Sequence, residues 1–214
     1  MRTTNKRPVQ SKKVFSFVVD GECEFWYLQM MKDNEKPLNI HISPEIYKKK
    51  TLDEQYKRVV ELKEISAKVF WIVDFDVVNK ETQEGIRGQK SKLTKFKELY
   101  QKIKCYPNIE IIVNNPCFEF WILLHFANTT RFYESYKKLL PHLQKYLSDY
   151  EKTEKYYIQS NPDIYKRLRR DLKTAIGNAE KQGDFDFENC KTKGVAEMHK
   201  FFNDAGIKEI IKAL

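Results

Sequence analysis

Two aspartates close a long apolar run in the middle of the chain. Residues 69–73 are entirely apolar, and Asp74-Phe75-Asp76 follows directly. A continuous apolar segment of this length predicts a strand buried on both faces of a parallel sheet. Since side chains alternate along a strand, we expect Asp74 and Asp76 on one side, at the carboxyl end where open α/β sheets bind ligands. Two adjacent carboxylates indicate a site for a hard divalent cation with oxygen ligands.

A second group of carboxylates follows the first predicted strand, residues 14–19. Asp20, Glu22 and Glu24 surround Gly21, which permits a sharp turn from the strand into a helix. Acidic side chains also favour helix N-termini, where the macrodipole stabilises them, and this explanation stays open for one or two of the three. An isolated Asp-x-Asp is equally typical of a solvated loop or a helix N-cap. Acidic groups at the ends of two buried strands together favour a metal site.

A further carboxylate lies in the most apolar helix that the sequence predicts, residues 117–126. Glu119 is in its first turn, shortly after the fourth predicted strand, residues 109–113. Burying a lone carboxylate is costly unless it has a partner. Glu119 is therefore either a member of the acidic site or a cap at the open helix N-terminus, and both interpretations stay open. We interpret His125 as a packed core histidine rather than a ligand.

Strands and helices alternate over the first 128 residues. The predicted strands are 14–19, 38–42, 69–73 and 109–113, and the predicted helices are one that begins near Glu22, 45–66, 92–104 and 117–126. Within this order, Ser43-Pro44 predicts a helix start and residues 77–90 a polar connecting loop. The alternation predicts an α/β fold with a mainly parallel four-stranded sheet flanked by helices.

From Arg131 onward every periodic pattern is helical. We therefore expect three parts: a flexible basic arm at 1–11, an α/β core at 12–128, and a basic helical extension at 129–214 that packs on the core. The last segment, 195–214, has the pattern of an amphipathic helical hairpin broken at Gly206.

Basic side chains and tyrosines interleave in residues 131–182. This composition suits phosphate contacts and base stacking in nucleic-acid binding. The candidate residues are Lys152, Lys155, Lys166, Arg167, Arg169 and Arg170. A solvated helix face explains the same pattern and is the favoured interpretation for any single residue.

The composition limits the class of protein and its compartment. The chain has 214 residues and a formal net charge of +9, which favours a polyanionic partner. Its 4 cysteines are widely separated, an arrangement that argues against zinc and disulfides and indicates a reducing cytosol. The chain has no secretory signal and no apolar run of membrane-spanning length, so we expect a soluble cytoplasmic protein without a membrane partner. It also has no Gly-x-x-x-x-Gly-Lys-Ser/Thr motif, so any ATP use must come from a partner protein.

Taken together, these motifs resemble the RloB family, whose fold is Toprim-like and related to the Toprim part of OLD-type nucleases. The Toprim signature is matched at Asp20-Gly21 and at Asp74-Phe75-Asp76. The narrower family patterns are Gly-Glu-x-Glu-x-x-Tyr at 21–27, Asn-Pro-Cys-Phe-Glu-Phe-Trp at 115–121, and Tyr150-x-Lys152. The resemblance covers about residues 12 to 200, and the block that begins at Asn115 is its most specific part. Toprim nucleases usually carry Glu at the position of Asp20, and this departure shifts weight to Glu22 and Glu24.

The resemblance implies a metal-dependent nuclease that acts with an ATPase partner in bacterial phage defence. The implied cofactor is Mg²⁺ or Mn²⁺, and Lys152 would neutralise charge on the phosphate in the transition state. The candidate metal ligands are Asp20, Glu22, Glu24, Asp74, Asp76 and Glu119. The candidate catalytic residues are Asp20, Glu24, Asp74, Asp76 and Lys152.

Two other functions compete with this interpretation. The first is a non-catalytic adaptor that keeps a Toprim shell and binds nucleic acid or the ATPase, and the substitution at Asp20 favours it. The second is nucleotidyl or strand transfer, which shares the metal chemistry. Strand transfer would need a dedicated tyrosine nucleophile, and the sequence marks none of its 12 tyrosines for that role.

Overall fold

The structure, a computed structural model, describes residues 13–35, 40–46, 51–83 and 90–208. Its strands are β1 Lys13–Val19, β2 Ile40–Ile46, β3 Lys68–Asp74, β4 Ile109–Asn115 and β5 Val195–Ala196. Its helices are α1 Glu22–Asn34, α2 Leu52–Leu62, α3 Phe75–Gln83, α4 Lys92–Ile103, α5 Phe118–Leu124, α6 Tyr136–Leu143, a π-helix Lys155–Gln159, α7 Ile164–Arg169, α8 Leu172–Gln182, α9 Met198–Asn203 and α10 Ala205–Lys208. The basic arm expected at 1–11 lies outside these ranges.

A single sheet carries the fold, in the strand order β2-β1-β3-β4-β5. The first four strands are parallel, and the two-residue β5 pairs antiparallel with β4. The predicted α/β class and the four parallel strands are confirmed, whereas the whole sheet is mixed. Val19 pairs with Ile72 and Asp74 with Asn114. The carboxyl ends of β1, β3 and β4 therefore lie side by side, about 4.8 Å apart from strand to strand.

One face of the sheet is covered by aromatic side chains from both ends of the chain. Phe17 and Phe70 stack with centroids 5.1 Å apart, and Phe201 of α9 packs edge-on against both rings. Helices α1, α5, α7 and α8 bury their apolar residues in the same cluster. The sheet is thus closed on this face by segments distant in sequence. The boundary expected at 128/129 stays a prediction.

The opposite face is covered by α2, α3 and α4. Trp71 of β3 packs edge-on against Phe96 of α4, and Phe75 of α3 lies 6.1 Å from the same ring. Because β3 has buried side chains on both faces, its sequence is a continuous apolar run.

The helix predicted at 45–66 begins later than the sequence pattern suggests. The strand β2 continues through Glu45, and α2 begins only at Leu52, so the Ser43-Pro44 helix start is wrong. The start is fixed by a capping box: Thr51 Oγ1 accepts the Glu54 N–H at 3.3 Å, and Glu54 Oε2 accepts the Thr51 N–H at 2.8 Å. A proline is tolerated in β2 because this strand lies at the sheet edge.

The loop predicted at 77–90 is helical in its first half. Helix α3 follows β3 without a break and buries Phe75 and Val78. Thr82 Oγ1 donates to the Val78 carbonyl at 2.7 Å and accepts the Leu93 N–H at 2.9 Å, which ties α3 to the start of α4. Residues 84–89 lie outside the described ranges.

The helical hairpin predicted at 195–214 is described only as far as residue 208, and over this part the prediction is wrong in two respects. Its first two residues form β5, and the break between α9 and α10 lies at Asp204, whose Oδ1 accepts the Gly206 N–H at 3.0 Å. Gly206 is inside α10, where a Cβ atom would lie only 2.6 Å from Cζ of Phe15. A glycine is therefore required at this position for close packing, not as a helix break. None of the helices in the described ranges has both the length and the apolarity to cross a membrane.

Candidate metal centre

Three carboxylates meet on one face of the sheet at its carboxyl end. Asp74 ends β3 and points to the same face as Phe70 and Ile72, because side chains alternate along the strand. That face is covered by α1 and α5, whose first turns carry Glu24 and Glu119. Glu24 is 2% exposed and Glu119 is 0% exposed. The predicted participation of Glu119 thus has a geometric basis, since its helix begins beside the end of β3.

Each of these carboxylates has one buried oxygen without a hydrogen-bond partner among the described residues. The three atoms are Glu24 Oε1, Asp74 Oδ1 and Glu119 Oε2. Burying a carboxylate oxygen without a hydrogen-bond partner destabilises the folded state by several kcal/mol. Three such oxygens near one another therefore need an explanation. Hard oxygen donors of this kind fit Mg²⁺ or Mn²⁺. The three carboxylates lie near one another, but in the described part of the chain no three acidic, His or Cys side chains are close enough together to enclose an ion.

The pKa values of the carboxyl groups show how unfavourable their charges are together. Burial, and then the charge of Glu119, raises the pKa of Glu24 to about 7. Burial also raises the pKa of Asp74, and the charges of Glu24, Asp76 and Glu119 raise it further. Positive charge between these groups would reverse the effect, because an opposite charge favours the ionised form.

Gly21 makes room for the Glu24 carboxylate at the turn between β1 and α1. A Cβ atom on Gly21 would lie 2.3 Å from Glu24 Oε2, well inside contact distance. Since Glu24 is buried, its carboxylate has little freedom to move aside. The Gly-Glu-x-Glu pattern therefore contains a steric requirement as well as acidic groups.

A hydrogen-bond network holds Glu119 in one orientation. Its Oε1 accepts from the Tyr150 hydroxyl at 2.9 Å and lies 2.9 Å from Lys152 Nζ. The hydroxyls of Tyr150 and Tyr157 are hydrogen-bonded to each other, and Tyr157 comes from the π-helix. Because Oε1 holds both partners, Oε2 is left free for the acidic centre.

Lys152 remains positively charged in this position. Burial is the largest single influence and disfavours its ammonium form, but the charge of Glu119, the hydrogen bond to Glu119 and the nearby thiols of Cys117 and Cys23 together raise the Lys152 pKa above its ordinary value. Its Nζ also lies 3.9 Å from the centroid of the Tyr136 ring, a cation–π contact. The structure thus brings the predicted cation beside the predicted carboxylates.

Asp76 lies next to the acidic centre, but it belongs to a helix and not to the strand that was expected. It lies in the first turn of α3, not in the strand, so the prediction that alternation places it beside Asp74 is wrong. Its N–H donates to the Pro116 carbonyl at 2.9 Å, and its Oδ2 accepts the Tyr136 N–H at 3.4 Å. These contacts start the helix early and orient the side chain.

Asp20 and Glu22 are placed less centrally than Glu24. Gln55 Nε2 of α2 donates to Asp20 Oδ1 at 3.0 Å, and Gln55 Oε1 accepts from Trp71 Nε1 at 2.9 Å. Asp20 is therefore held toward the α2 face, although the charge of Asp76 still contributes to its raised pKa, after burial. Glu22 is exposed on the first turn of α1.

The two asparagines that end β4 have different roles. Asn115 Nδ2 donates to the carbonyls of Cys190 at 2.8 Å and Lys193 at 2.9 Å, so it anchors the segment before β5. Asn114 is fully buried and in register with Asp74, and its side-chain amide has no partner in the described part of the chain. Asn114 is not among the site residues predicted from the sequence, although its position at the end of a buried strand next to β3 is a signal for it.

Most of the basic side chains expected to bind nucleic acid are paired within the protein. Arg167 forms two hydrogen bonds to Asp149, at 2.8 and 3.0 Å, and Arg169 pairs with Glu35. Lys166 lies 3.4 Å from Asp163, and Arg170 lies 3.4 Å from Asp171 with 89% of its side chain exposed. Lys155 is exposed at the start of the π-helix. A role for these residues in nucleic-acid binding stays a prediction.

Comparison with known proteins identifies the family of the chain. The family model described as RloB-like protein matches residues 15–204 of the chain. No curated protein and no solved structure matches significantly. The matched range contains every residue of the acidic centre and its hydrogen-bond network.

Proposed function

The chain belongs to the RloB-like protein family, and we propose that it is a nuclease that hydrolyses phosphodiester bonds with Mg²⁺ or Mn²⁺. The observation that carries the proposal is the set of unpartnered, buried oxygens on Glu24, Asp74 and Glu119. These three carboxylates would hold the ion, whose positive charge would polarise a phosphate ester and make water a stronger nucleophile. Asp76 and Asp20 extend the acidic surface around this centre.

The remaining groups of the centre suit a phosphate. Lys152 holds a fixed positive charge beside Glu119, where it stabilises negative charge that develops on the phosphate oxygens. The unpartnered Asn114 amide supplies a hydrogen-bond donor next to Asp74. Both groups are positioned before substrate binds, which is the condition for electrostatic stabilisation of a transition state.

The wider proposal includes a Toprim-like core and an ATPase partner. Its support is that Asp20-Gly21 directly follows β1 and that Asp74-Phe75-Asp76 begins at the last residue of the adjacent parallel strand β3. The partner, and the role in phage defence, come from the family resemblance alone. We propose them as the cellular context of the nuclease.

A non-catalytic adaptor is the second candidate function. The observation that favours it is the hydrogen bond from Gln55 to Asp20, which holds this carboxylate toward α2. An adaptor would keep the acidic centre for a structural ion at most. Cleavage assays and metal binding separate the two candidates.

The test uses plasmid DNA and a structured RNA with the full-length protein in Mg²⁺ or Mn²⁺. Asp74→Asn preserves the shape of the side chain and removes its charge, so we expect it to abolish cleavage. Asp33→Asn, an exposed carboxylate on the same helix as Glu24, is the matched control and should cleave like the parent protein. Calorimetric titration with Mn²⁺ gives a second readout, and Asp74→Asn should bind more weakly. Equal cleavage by the parent protein and Asp74→Asn would refute the nuclease. Mn²⁺ binding without cleavage would support the adaptor.

A further inference from the structure

A cavity of about 730 Å³ opens beside the acidic centre. We call it the α3 cavity, because helix α3 forms one wall and the segment 132–135 forms the other. Asp76 lines it and is also part of the candidate metal centre. A volume in this range is typical of sites that enclose a small molecule or a single building block of a polymer.

The wall formed by α3 is mostly polar, with Val77 as its apolar member. Asp76, Asn79, Lys80 and Gln83 line the cavity, and their spacing of three and four residues places them along one side. The face therefore leads from a carboxylate at the acidic centre to amide groups farther along the helix. Amide side chains both donate and accept hydrogen bonds, as recognition of a base edge requires.

The opposite wall contributes an aromatic ring. Phe132 is half-buried and lines the cavity, between Arg131 and the buried Tyr133. A half-buried phenylalanine on the wall of this cavity offers a flat surface on which a base can stack.

Two lysines line the α3 cavity, as does the carboxylate-bearing Glu134. Lys80 lies on the α3 wall and Lys191 on the other side. Neither forms an ion pair with any residue of the described ranges, in contrast to Lys152, Arg167 and Arg169. Lysines beside an aromatic ring are the combination that holds phosphates and bases of a single strand.

From these observations we infer that the α3 cavity is the substrate site of the proposed nuclease and takes one unstacked nucleotide of a single strand of nucleic acid. The inference rests on the proposed function, because the nuclease proposal places a phosphate beside Asp76. That phosphate determines which way the strand runs through the cavity. A duplex does not fit, because its stacked bases cannot reach Phe132 unless a nucleotide leaves the stack. DNA and RNA share the base and phosphate chemistry that the cavity offers.

The test measures binding of fluorescent single-stranded DNA, single-stranded RNA and duplex DNA by anisotropy. It uses full-length protein that carries Asp74→Asn, in Mg²⁺, so that the oligonucleotides stay intact. We expect single strands to bind more tightly than duplex, and Phe132→Leu to weaken binding at least about 5-fold through lost stacking. Phe132→Trp should retain binding, and equal melting temperatures would show that both variants fold.

Salt dependence tests the lysines separately. The double variant Lys80→Gln/Lys191→Gln should lower the slope of log affinity against log salt by about 1.4, from about 0.7 per single-strand phosphate contact. Lys173→Gln/Lys181→Gln, two exposed lysines on α8, is the matched control and should leave the slope unchanged.

The outcomes separate this inference from the proposed function. An unchanged slope in the Lys80/Lys191 variant, a preference for duplex, or no binding of single strands would overturn the inference, even if the parent protein cleaves. Weaker binding in Phe132→Leu, with no metal-dependent cleavage by the parent protein, would refute the nuclease and support the α3 cavity as a single-strand site. The DNA and RNA arms identify which strand is preferred.

Discussion

Lys152 and Glu119 form an ion pair in which Nζ lies 2.9 Å from Oε1, although the Glu119 side chain is fully buried and 37% of the Lys152 side chain is exposed. A partly exposed ammonium group therefore neutralises a carboxylate that is itself inaccessible to water. Tyr150 shares the same oxygen. This pairing explains how a single carboxylate is retained in the most apolar helix of the chain.

The first prediction concerns the stability of this pair. Lys152→Met should lower the free energy of unfolding by about 3 kcal/mol, because it leaves the charge of Glu119 buried and unpaired. In the double variant Glu119→Gln/Lys152→Met that charge is absent, so the loss should be clearly smaller. A double-mutant cycle measures this effect. It compares the parent protein, Lys152→Met, Glu119→Gln and the double variant by urea denaturation in EDTA. If the losses in free energy of unfolding of the two single variants add up to that of the double variant, the two side chains do not stabilise each other.

The second prediction concerns metal affinity at Glu119. Glu119→Gln keeps the shape of the side chain and the hydrogen bond from Tyr150 but removes the charge. If Oε2 faces the ion, directly or through another ligand, Mn²⁺ binding should weaken by about 10- to 100-fold. Calorimetry measures the affinity, and thermal melting in EDTA reports the fold. A lower melting temperature with unchanged Mn²⁺ affinity would make Glu119 a structural cap.

The third prediction concerns the cost of assembling the acidic centre. Glu24 has a pKa of about 7 in the folded protein, above its ordinary value of 4.5, so its charge opposes folding. Stability should fall as pH rises from 4.5 to 7, and the full cost, about 3 kcal/mol, should be present at pH 8. Glu24→Gln should therefore raise the melting temperature in EDTA at pH 8 and abolish stabilisation by Mn²⁺.

The matched control for Glu24→Gln is Asp33→Asn, at an exposed site on the same helix. It should leave both the melting temperature and its response to Mn²⁺ unchanged. A Glu24→Gln protein that melts lower than the parent in EDTA would contradict the prediction, since it would mean that the charge of Glu24 stabilises the fold.

The sequence pattern was sufficient for the α/β order and for the strands that carry the acidic centre. The apolar runs at β3 and β4 are visible because both strands are buried on two faces. The start of α2 was missed because apolar spacing continued through β2, and the decisive signal was the reciprocal bonding of Thr51 and Glu54. Asp76 was assigned to the strand because the carbonyl of Pro116, which accepts its N–H, is 40 positions away and invisible to local periodicity.

Prediction of the site from sequence was limited for the same reason, namely contacts between residues that are distant in sequence. Residue types and strand ends located Glu24, Asp74 and Glu119, but not which oxygen of each is free. The orientation of Glu119 depends on Tyr150, and that of Asp20 on Gln55, which are contacts between distant segments. The interleaved arginines were weighed as phosphate contacts because their partners could not be identified without the tertiary structure.

The fourth prediction concerns His125, which the structure places in the core as expected. Its Nδ1 lies 3.1 Å from the Trp121 carbonyl oxygen, and burial lowers its pKa to about 4 from an ordinary value of 6.5. The unfolded chain takes up the proton first, so His125 should reduce stability by up to about 3 kcal/mol as pH falls from 6.5 to 4.

The measurement compares the parent protein with His125→Gln by urea denaturation between pH 4 and pH 8. The acidic centre titrates in both proteins, so its contribution cancels in the difference. We expect the difference in free energy of unfolding to shift in favour of the variant as pH falls through this window. A constant difference would show that His125 keeps the same proton affinity in the folded and unfolded chain.

The position of Phe201 has a consequence for how the chain folds as it is synthesised. This ring packs edge-on against Phe17 and Phe70, which are more than 130 residues nearer the N-terminus. A ribosome delivers β1 and β3 long before α9, so a nascent chain that ends short of α9 leaves these rings without their cover. Exposed apolar surface of that kind attracts chaperones and other unfolded chains. The acidic strands are thus made early but can acquire their final packing only when nearly all of the chain has emerged.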